Sequence, residues 1–212
     1  MRWHADYRDR LIHEEVASLE KVLDLSRLEQ LAIRLPDLVG SPLSINSLRE
    51  DLLASHRGVS HWLNIFERLY MIFRLSPYGS PLIKAVKKEQ KHYHWDWSVI
   101  EDEGARFENL VASHLLKWTH FIRDTEGRDL ELRYLRDQYG KEVDFVAVEK
   151  NKPILMVEAK LNATKIDPSL SYFKNKFPKS RAVQLVAYGS KEYVTAEGIE
   201  LLTALRFLRE LV

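Results

Sequence analysis

A chain of 212 residues can hold one large domain or two small ones. With 45% hydrophobic and 30% charged residues it is globular rather than disordered, and without cysteine it has neither a disulfide framework nor a thiolate zinc site. A formal net charge of +1 neither requires nor excludes nucleic acid, so only a local basic surface can argue for it.

Residues 1–40 read as a helical lead-in. Tyr7, Leu11, Val16, Leu19, Val22 and Leu23 return at near-helical spacing, which predicts a packing helix from about His4 to Leu35. Pro36 and the Gly40-Ser41-Pro42 cluster then punctuate the chain.

Residues 41–100 predict helix, turn, helix and a basic hairpin, the signature of a winged helix. Ser44 or Asn46 can cap a short helix through Leu48, Leu52 and Leu53, and a break follows at Ala54-Ser55. The second helix carries Val59, Trp62, Leu63, Phe66 and Tyr70 as an apolar stripe. Its other face offers Arg57, Ser60, His61, Asn64 and Arg68, residue types that contact phosphates and base edges. A strand over Tyr70–Leu75, a turn at Ser76–Gly79 and a strand over Lys91–Trp95 complete the unit. Lys84, Lys87, Lys88 and Lys91 precede or open that last strand. The nucleic-acid-binding candidates are Arg57, His61, Asn64, Arg68, Lys84, Lys87 and Lys88. Such a face can equally be solvated or dock a protein, since fold does not fix function.

Residues 101–212 predict an α/β sheet with packed helices. A helix follows the acids Glu101–Glu103 and buries Phe107, Leu110, Val111, Leu115, Trp118 and Phe121. Strands are expected near Leu130–Arg136, Glu142–Val148, Pro153–Lys160 and Ala182–Ala187, a crossover helix at Pro168–Phe177 and a closing helix at Ile199–Leu211.

The run E-V-D-F-V-A-V-E-K-N-K-P-I-L-M-V-E-A-K is the most informative part of the chain. Side chains alternate along strands, so Glu158 and Lys160 share a face. A three-residue loop of Lys150, Asn151 and Lys152 would pair Glu149 with Pro153 and set Asp144 opposite Glu158. Their carboxylates would then converge within the ~4.5–5.5 Å of a cross-strand pair, unfavourable unless a cation joins them. Mg²⁺ or Mn²⁺ is the expected cation, and Lys160 could stabilise developing negative charge or orient a water in phosphodiester cleavage. The competing interpretation is an exposed ion pair on a solvated sheet face. The almost wholly apolar Ile154–Val157 argues against it, because such a strand is covered on both faces.

The D-x(13)-E-A-K pattern resembles the PD-(D/E)xK nuclease superfamily of restriction-type endonucleases and archaeal junction resolvases. In such domains a helix before the sheet often supplies another Glu, and R-F-E-N-L-V-A-S-H-L-L-K-W places Glu108 there. The resemblance implies Glu108, Asp144 and Glu158 around a metal, with Lys160 as the catalytic cation. Gln184 and Tyr188 echo a Gln-x-x-x-Tyr motif of some nucleases, but on a strand the spacing is read as coincidence. A second resemblance covers nearly the whole chain. The segments W-H-A-D-Y-R-D-R-L, S-P-L-S-I-N-S-L-R-E-D-L, V-S-H-W-L-N-I-F-E-R-L-Y-M-I-F-R-L-S-P-Y, K-H-Y-H-W-D, F-E-N-L-V-A-S-H-L and E-V-D-F look like the C-terminal half of bacterial and archaeal AAA-type ATPases. There a P-loop module precedes a winged helix and a nuclease-like domain of unknown function. This chain departs from that pattern, because Gly140-Lys141 leads through Glu142 into a strand and forms no phosphate loop. ATP hydrolysis is therefore not expected of it alone.

The expected protein is α/β, a winged helix followed by a PD-(D/E)xK-like domain. It lacks a signal-peptide pattern or a membrane-spanning run, so a cytoplasmic location is expected. The expected function is divalent-metal-dependent cleavage or binding of nucleic acid, with DNA as the expected partner. The alternative is a non-catalytic regulatory, DNA-binding or docking module of an AAA-type ATPase, partnered by a separate P-loop subunit. A homo-oligomer is left open. His92 and His94 alternate on a strand and lack the further ligands a zinc site needs.

Overall fold

The computed structural model describes residue 4, residues 10–12, 24–79 and 90–211. Most of the expected leading helix, with Tyr7, Val16, Leu19, Val22 and Leu23, lies outside these residues, as do Lys84, Lys87 and Lys88. Where the description resumes, a new helix starts. Asp24 caps α1 (Leu25–Arg34) by accepting from the Arg27 amide, so no single helix runs from His4 to Leu35. A 3₁₀ turn (Leu35–Leu38) follows. Ser44 caps α2 (Ile45–Asp51), and Ser55 caps α3 (His56–Arg68). Val59, Trp62, Leu63 and Phe66 of α3 are buried against Leu28, Leu31, Leu35, Leu48 and Leu52. Tyr70 does not continue that stripe. The helix ends at Arg68, and Tyr70 turns the chain with φ 55° and remains exposed.

Strand β1 (Ile72–Leu75) pairs antiparallel with β2 (Lys91–His94), Phe73 opposite Tyr93 and Leu75 opposite Lys91. The described strands of this hairpin do not project as a basic wing, for all four residues of β2 are buried. Its alternation gives it two apolar sides. Phe73, Leu75 and Tyr93 join the core of the C-terminal sheet, while Ile72 joins the core of α1–α3. On the latter side His92 shares a hydrogen bond with the Leu35 carbonyl (2.8 Å) and Arg74 donates to Asn64 (2.7 Å). The hairpin is thus a layer between the two halves.

Asp102 caps the long helix α4 (Glu103–Glu126), which ends on left-handed Gly127. Its buried line runs Phe107, Val111, Leu115 and Thr119, with Ile122 packed against the core; Phe121 falls off that line and is exposed, contrary to expectation. Next come β3 (Leu130–Arg136), β4 (Glu142–Glu149), β5 (Lys152–Lys160), α5 (Pro168–Lys176), β6 (Arg181–Val186), β7 (Tyr193–Val194), β8 (Ile199–Thr203) and α6 (Ala204–Glu210). They build a mixed sheet of order β3-β4-β5-β6-β8-β7, antiparallel across β3, β4 and β5 and parallel across β5, β6 and β8. One face packs against α4 and α6 through Phe145, Leu155, Val157 and Phe207, the other against α5 through Val146, Met156, Leu170 and Phe173. The expected closing helix over Ile199–Leu211 is instead a strand followed by a short helix. Ile199–Thr203 pairs with β6, and the helix starts only at Ala204.

The β4–β5 connection corrects the expected loop. It has two residues, Lys150 and Asn151, both at positive φ (48° and 61°), as a twist-matched tight turn requires. Glu149 therefore faces Lys152 and Val148 faces Pro153. A bulge beside Ala147 then takes up one extra residue, and the register continues as Ala147↔Leu155, Val146↔Met156 and Phe145↔Val157. One residue was misplaced in the loop and one is absorbed by the bulge, so Asp144 still meets Glu158.

Candidate functional site

The acidic cluster lies where β4 begins and β5 ends. The Asp144 amide donates to Glu158 Oε2 (3.2 Å), and the Ala159 amide donates to Asp144 Oδ2 (2.9 Å). Each carboxylate thus bonds the other strand's backbone. Lys160 Nζ lies 2.7 Å from Glu158 Oε1 and 3.3 Å from Asp167 Oδ2. Asp167 caps α5, and its amide donates to Gln184 Oε1 (2.6 Å). Gln184 pairs with Glu158 in the parallel ladder and donates to the Lys165 carbonyl (2.9 Å), which fixes the loop that brings Asp167 to Lys160. Tyr188 stands away from this centre, its hydroxyl donating to Glu103.

Glu108 enters from the second turn of α4. Its Oε1 accepts from the Tyr93 hydroxyl (2.8 Å). At its other side is Gly40: a Cβ there would lie 2.8 Å from Glu108 Oε2. Glu108, Asp144, Glu158 and Lys160 are therefore all brought to one place. Between them stands a residue that was not among the site candidates. The Lys91 side chain, 1% exposed, puts Nζ 2.7 Å from Glu142 Oε1, 3.5 Å from Glu108 Oε1 and 3.6 Å from Asp144 Oδ1.

The electrostatics follow from burial and crowding. Burial, then the Asp144 charge, pushes the Glu158 carboxyl up to about 8 and the Glu108 carboxyl up to about 7. Burial raises Asp144 as well, against the pull of the Lys91 ammonium. Burial works against charge on Lys91, yet Glu108, Asp144 and Glu142 outweigh it and raise its pKa. Lys160 is likewise raised, its burial outweighed by Glu158 and its neighbours.

A divalent ion needs oxygens that face one point and are not otherwise engaged. Here Asp144 divides its oxygens between Lys91 and an amide, and Glu158 divides its own between Lys160 and an amide. Among the described residues, no group of three or more His, Asp or Glu is placed to hold a metal ion. With the Lys91 ammonium standing among the carboxylates, this arrangement suits ammonium groups rather than Mg²⁺ or Mn²⁺.

The second candidate surface is α3. Arg57, His61, Asn64 and Arg68 are all exposed, at the spacing that puts them along one side of the helix. His92 and His94 are buried. Burial holds His92 down at about 4 and His94 down at about 3, so both are structural, neutral imidazoles. Among the described residues no helix is long and apolar enough to cross a membrane.

Two domains of unknown function span the chain. Residues 1–101 match the family described as DUF8612, and residues 103–207 match DUF4143, a C-terminal domain associated with AAA-type ATPases. No curated protein and no solved structure matches the chain.

The residues missed from the sequence are Lys91, Tyr93, Glu142, Asp167 and Gln184. Lys91 carried one usable signal: it shares strand parity with Tyr93, an aromatic residue of β2 that packs in the C-terminal core. Gln184 was noted only for the Gln-x-x-x-Tyr spacing and read as coincidence; its further signal is an amide inside the apolar run Ala182–Val186.

Proposed function

We propose that this chain is a nucleic-acid-binding module of an AAA-type ATPase system, with a winged-helix-like N-terminal half and a PD-(D/E)xK-like C-terminal half that, in this arrangement, binds rather than cuts. The observation that carries the binding is the exposed row Arg57, His61, Asn64 and Arg68 on the second helix of a helix–turn–helix. The nuclease-like reading of the sheet is supported by the antiparallel hairpin, the parallel crossover and the meeting of Asp144, Glu158, Lys160 and Glu108. The reading that it binds rather than cuts is supported by the Lys91 ammonium among the carboxylates.

The test is fluorescence anisotropy on duplex DNA across a salt series, wild type against Arg57→Ala/Arg68→Ala. If both arginines contact phosphates, affinity falls for all sequences and the log–log salt slope flattens by roughly 1.8, about 0.9 per phosphate. Unchanged affinity and slope would leave protein docking as the role of this face. A second reading, metal-dependent phosphodiester cleavage, draws on Lys160, which stands beside Glu158 with its side chain 40% exposed. It requires Lys91 to leave the cluster first.

A further inference from the structure

We propose that Lys91 is a latch: the N-terminal half supplies, through β2, the resident cation of the C-terminal acidic cluster, and the cluster takes up a divalent ion only when that ammonium is withdrawn. The inference concerns the same site but does not depend on DNA binding by α3.

Three observations converge on it. The first is geometric. Lys91 is the first residue of β2, and strand parity sends its side chain to the same side as Tyr93, whose ring packs in the C-terminal core. Its ammonium ends within 2.7–3.6 Å of Glu142, Glu108 and Asp144. The second is the seal. Gly40, also from the N-terminal half, has φ 79° and lies so close to Glu108 that a side chain would touch the carboxylate. Tyr93 covers the same group by donating to it. The third is the anchoring of β2 itself. Its Lys91 forms a bridge with Pro42, and the Gln90 carbonyl accepts from the Leu43 amide (2.9 Å). The latch is therefore fixed to the segment that also carries Gly40, and one movement of that segment would withdraw both.

A buried ammonium among carboxylates satisfies the same demand as a metal ion, since like charges this close need a cation between them. It differs in being covalently part of the other half. The closed state therefore couples the fit of the two halves to the charge balance of the cluster. Lifting the hairpin from the sheet exposes Glu108, Asp144 and Glu158 together.

The experiment is a Mn²⁺ titration, read by isothermal calorimetry and by melting temperature, of wild type, Lys91→Arg, Lys91→Met and Lys91→Met/Asp144→Asn. Lys91→Met should bind Mn²⁺ saturably, at least about tenfold more tightly than wild type, because a positive charge next to the ion has gone. Its melting temperature should rise with added Mn²⁺. Lys91→Arg should behave like wild type, and the added Asp144→Asn should abolish the gain. Should Lys91→Met fail to fold, Lys91→Met/Glu142→Met removes the closest pair together and keeps Glu108, Asp144 and Glu158. Wild type binding Mn²⁺ as tightly as Lys91→Met overturns the proposal. So does a folded Lys91→Met with no Mn²⁺ binding, or failure of Mn²⁺ to refold both variants if neither folds without it. DNA affinity is not read in this experiment, so a failed latch and a failed α3 interface give separate results.

Discussion

Gly40 offers a direct measure of how tightly the N-terminal half closes over the acidic cluster. Its φ is 79°, a left-handed conformation that costs a residue with a Cβ about 1–2 kcal/mol. Gly140 has the same φ of 79° but nothing within 4 Å of a Cβ. Gly140→Ala therefore carries the conformational cost alone. Gly40→Ala adds a contact, with the new Cβ 2.8 Å from Glu108 Oε2 and 3.0 Å from Oε1. A free glutamate would swing aside at little cost. This one is held by the Tyr93 hydroxyl at 2.8 Å and by Lys91 at 3.5 Å, so displacing it loses hydrogen bonds to a charged group. Such bonds are worth about 1.5–3 kcal/mol. For a chain of this size each kcal/mol shifts the melting temperature by about 2–4 °C, so Gly40→Ala should melt roughly 3–12 °C below Gly140→Ala. Thermal unfolding of both variants, alone and combined with Glu108→Ala, is the assay. In the Glu108→Ala background the difference should vanish. Equal melting temperatures for Gly40→Ala and Gly140→Ala would refute the seal.

Two further outcomes are expected. Stability should fall on both sides of a central pH range. On the acid side, His92 and His94 titrate lower when folded, at about 4 and about 3 against 6.5 ordinarily, through burial first; Arg74 adds to the effect at His92 and His92 at His94, while Asp96 opposes it at His94. The unfolded chain then binds more protons below 6.5, and stability drops as pH falls from there through about 4; His92→Gln should flatten this limb. On the alkaline side, Glu158 and Glu108 keep their protons to about 8 and about 7 when folded, with Asp144, Lys160, Asp167 and Lys91 as their charged neighbours. Their contribution is complete below the ordinary 4.5 and is lost as pH rises through 7 and 8, so Glu158→Gln should flatten that limb; melting curves from pH 3 to 9 that show no such change in either variant would refute the assignment. The second outcome concerns Asn109 of α4, fully buried, which accepts from the His94 amide and donates to the His94 carbonyl, both at 2.7 Å. Asn109→Ala strands both backbone groups and should cost about 2–6 kcal/mol in urea unfolding, at about 1–3 kcal/mol for each; a loss below about 1 kcal/mol would show that the bonds do not matter.

What was legible in the sequence was local. Alternation put Glu158 and Lys160 on one face, because strand period is a backbone property that needs no partner, whereas the pairing of Asp144 with Glu158 rested on a three-residue loop and survives only because the bulge offsets the shorter turn. Caps at Ser44 and the helix break at Ala54-Ser55 were legible for the same reason. The two-residue turn and its compensating bulge were not, since a register can be kept by either device. The strand Ile199–Thr203 was hidden because Leu201, Leu205 and Leu208 also lie at near-helical spacing, and a short apolar run buried in a parallel sheet has no period of its own. Lys91 was hidden by distance. Its partners Glu108, Glu142 and Asp144 follow it by seventeen or more positions, and beside Lys84, Lys87 and Lys88 it reads as one more solvated base.

The placement of β1 and β2 changes how the two halves can be thought of. By pattern the hairpin belongs to the helices before it, as the wing of a winged helix. By packing it belongs to both sides: Phe73, Leu75 and Tyr93 lie in the core of α4 and the sheet, while Ile72, Arg74 and His92 face α1–α3. The proposed nucleic-acid surface and the acidic cluster are then joined by a short contiguous path. Asn64 on the exposed row of α3 accepts from Arg74, Arg74 faces His92 across the ladder, and the strand that holds His92 begins with Lys91. Contact alone does not make such a path a coupling; an element with two arrangements is also required. The hairpin is the natural candidate, because undocking it would break one ion cluster and one buried face at once rather than deform either gradually. A ligand on α3 could favour that movement only by binding the undocked form more tightly than the docked one. The coupling therefore has a definite signature: DNA should bind Lys91→Met with a different affinity from wild type, although Lys91 is buried and cannot itself touch the DNA.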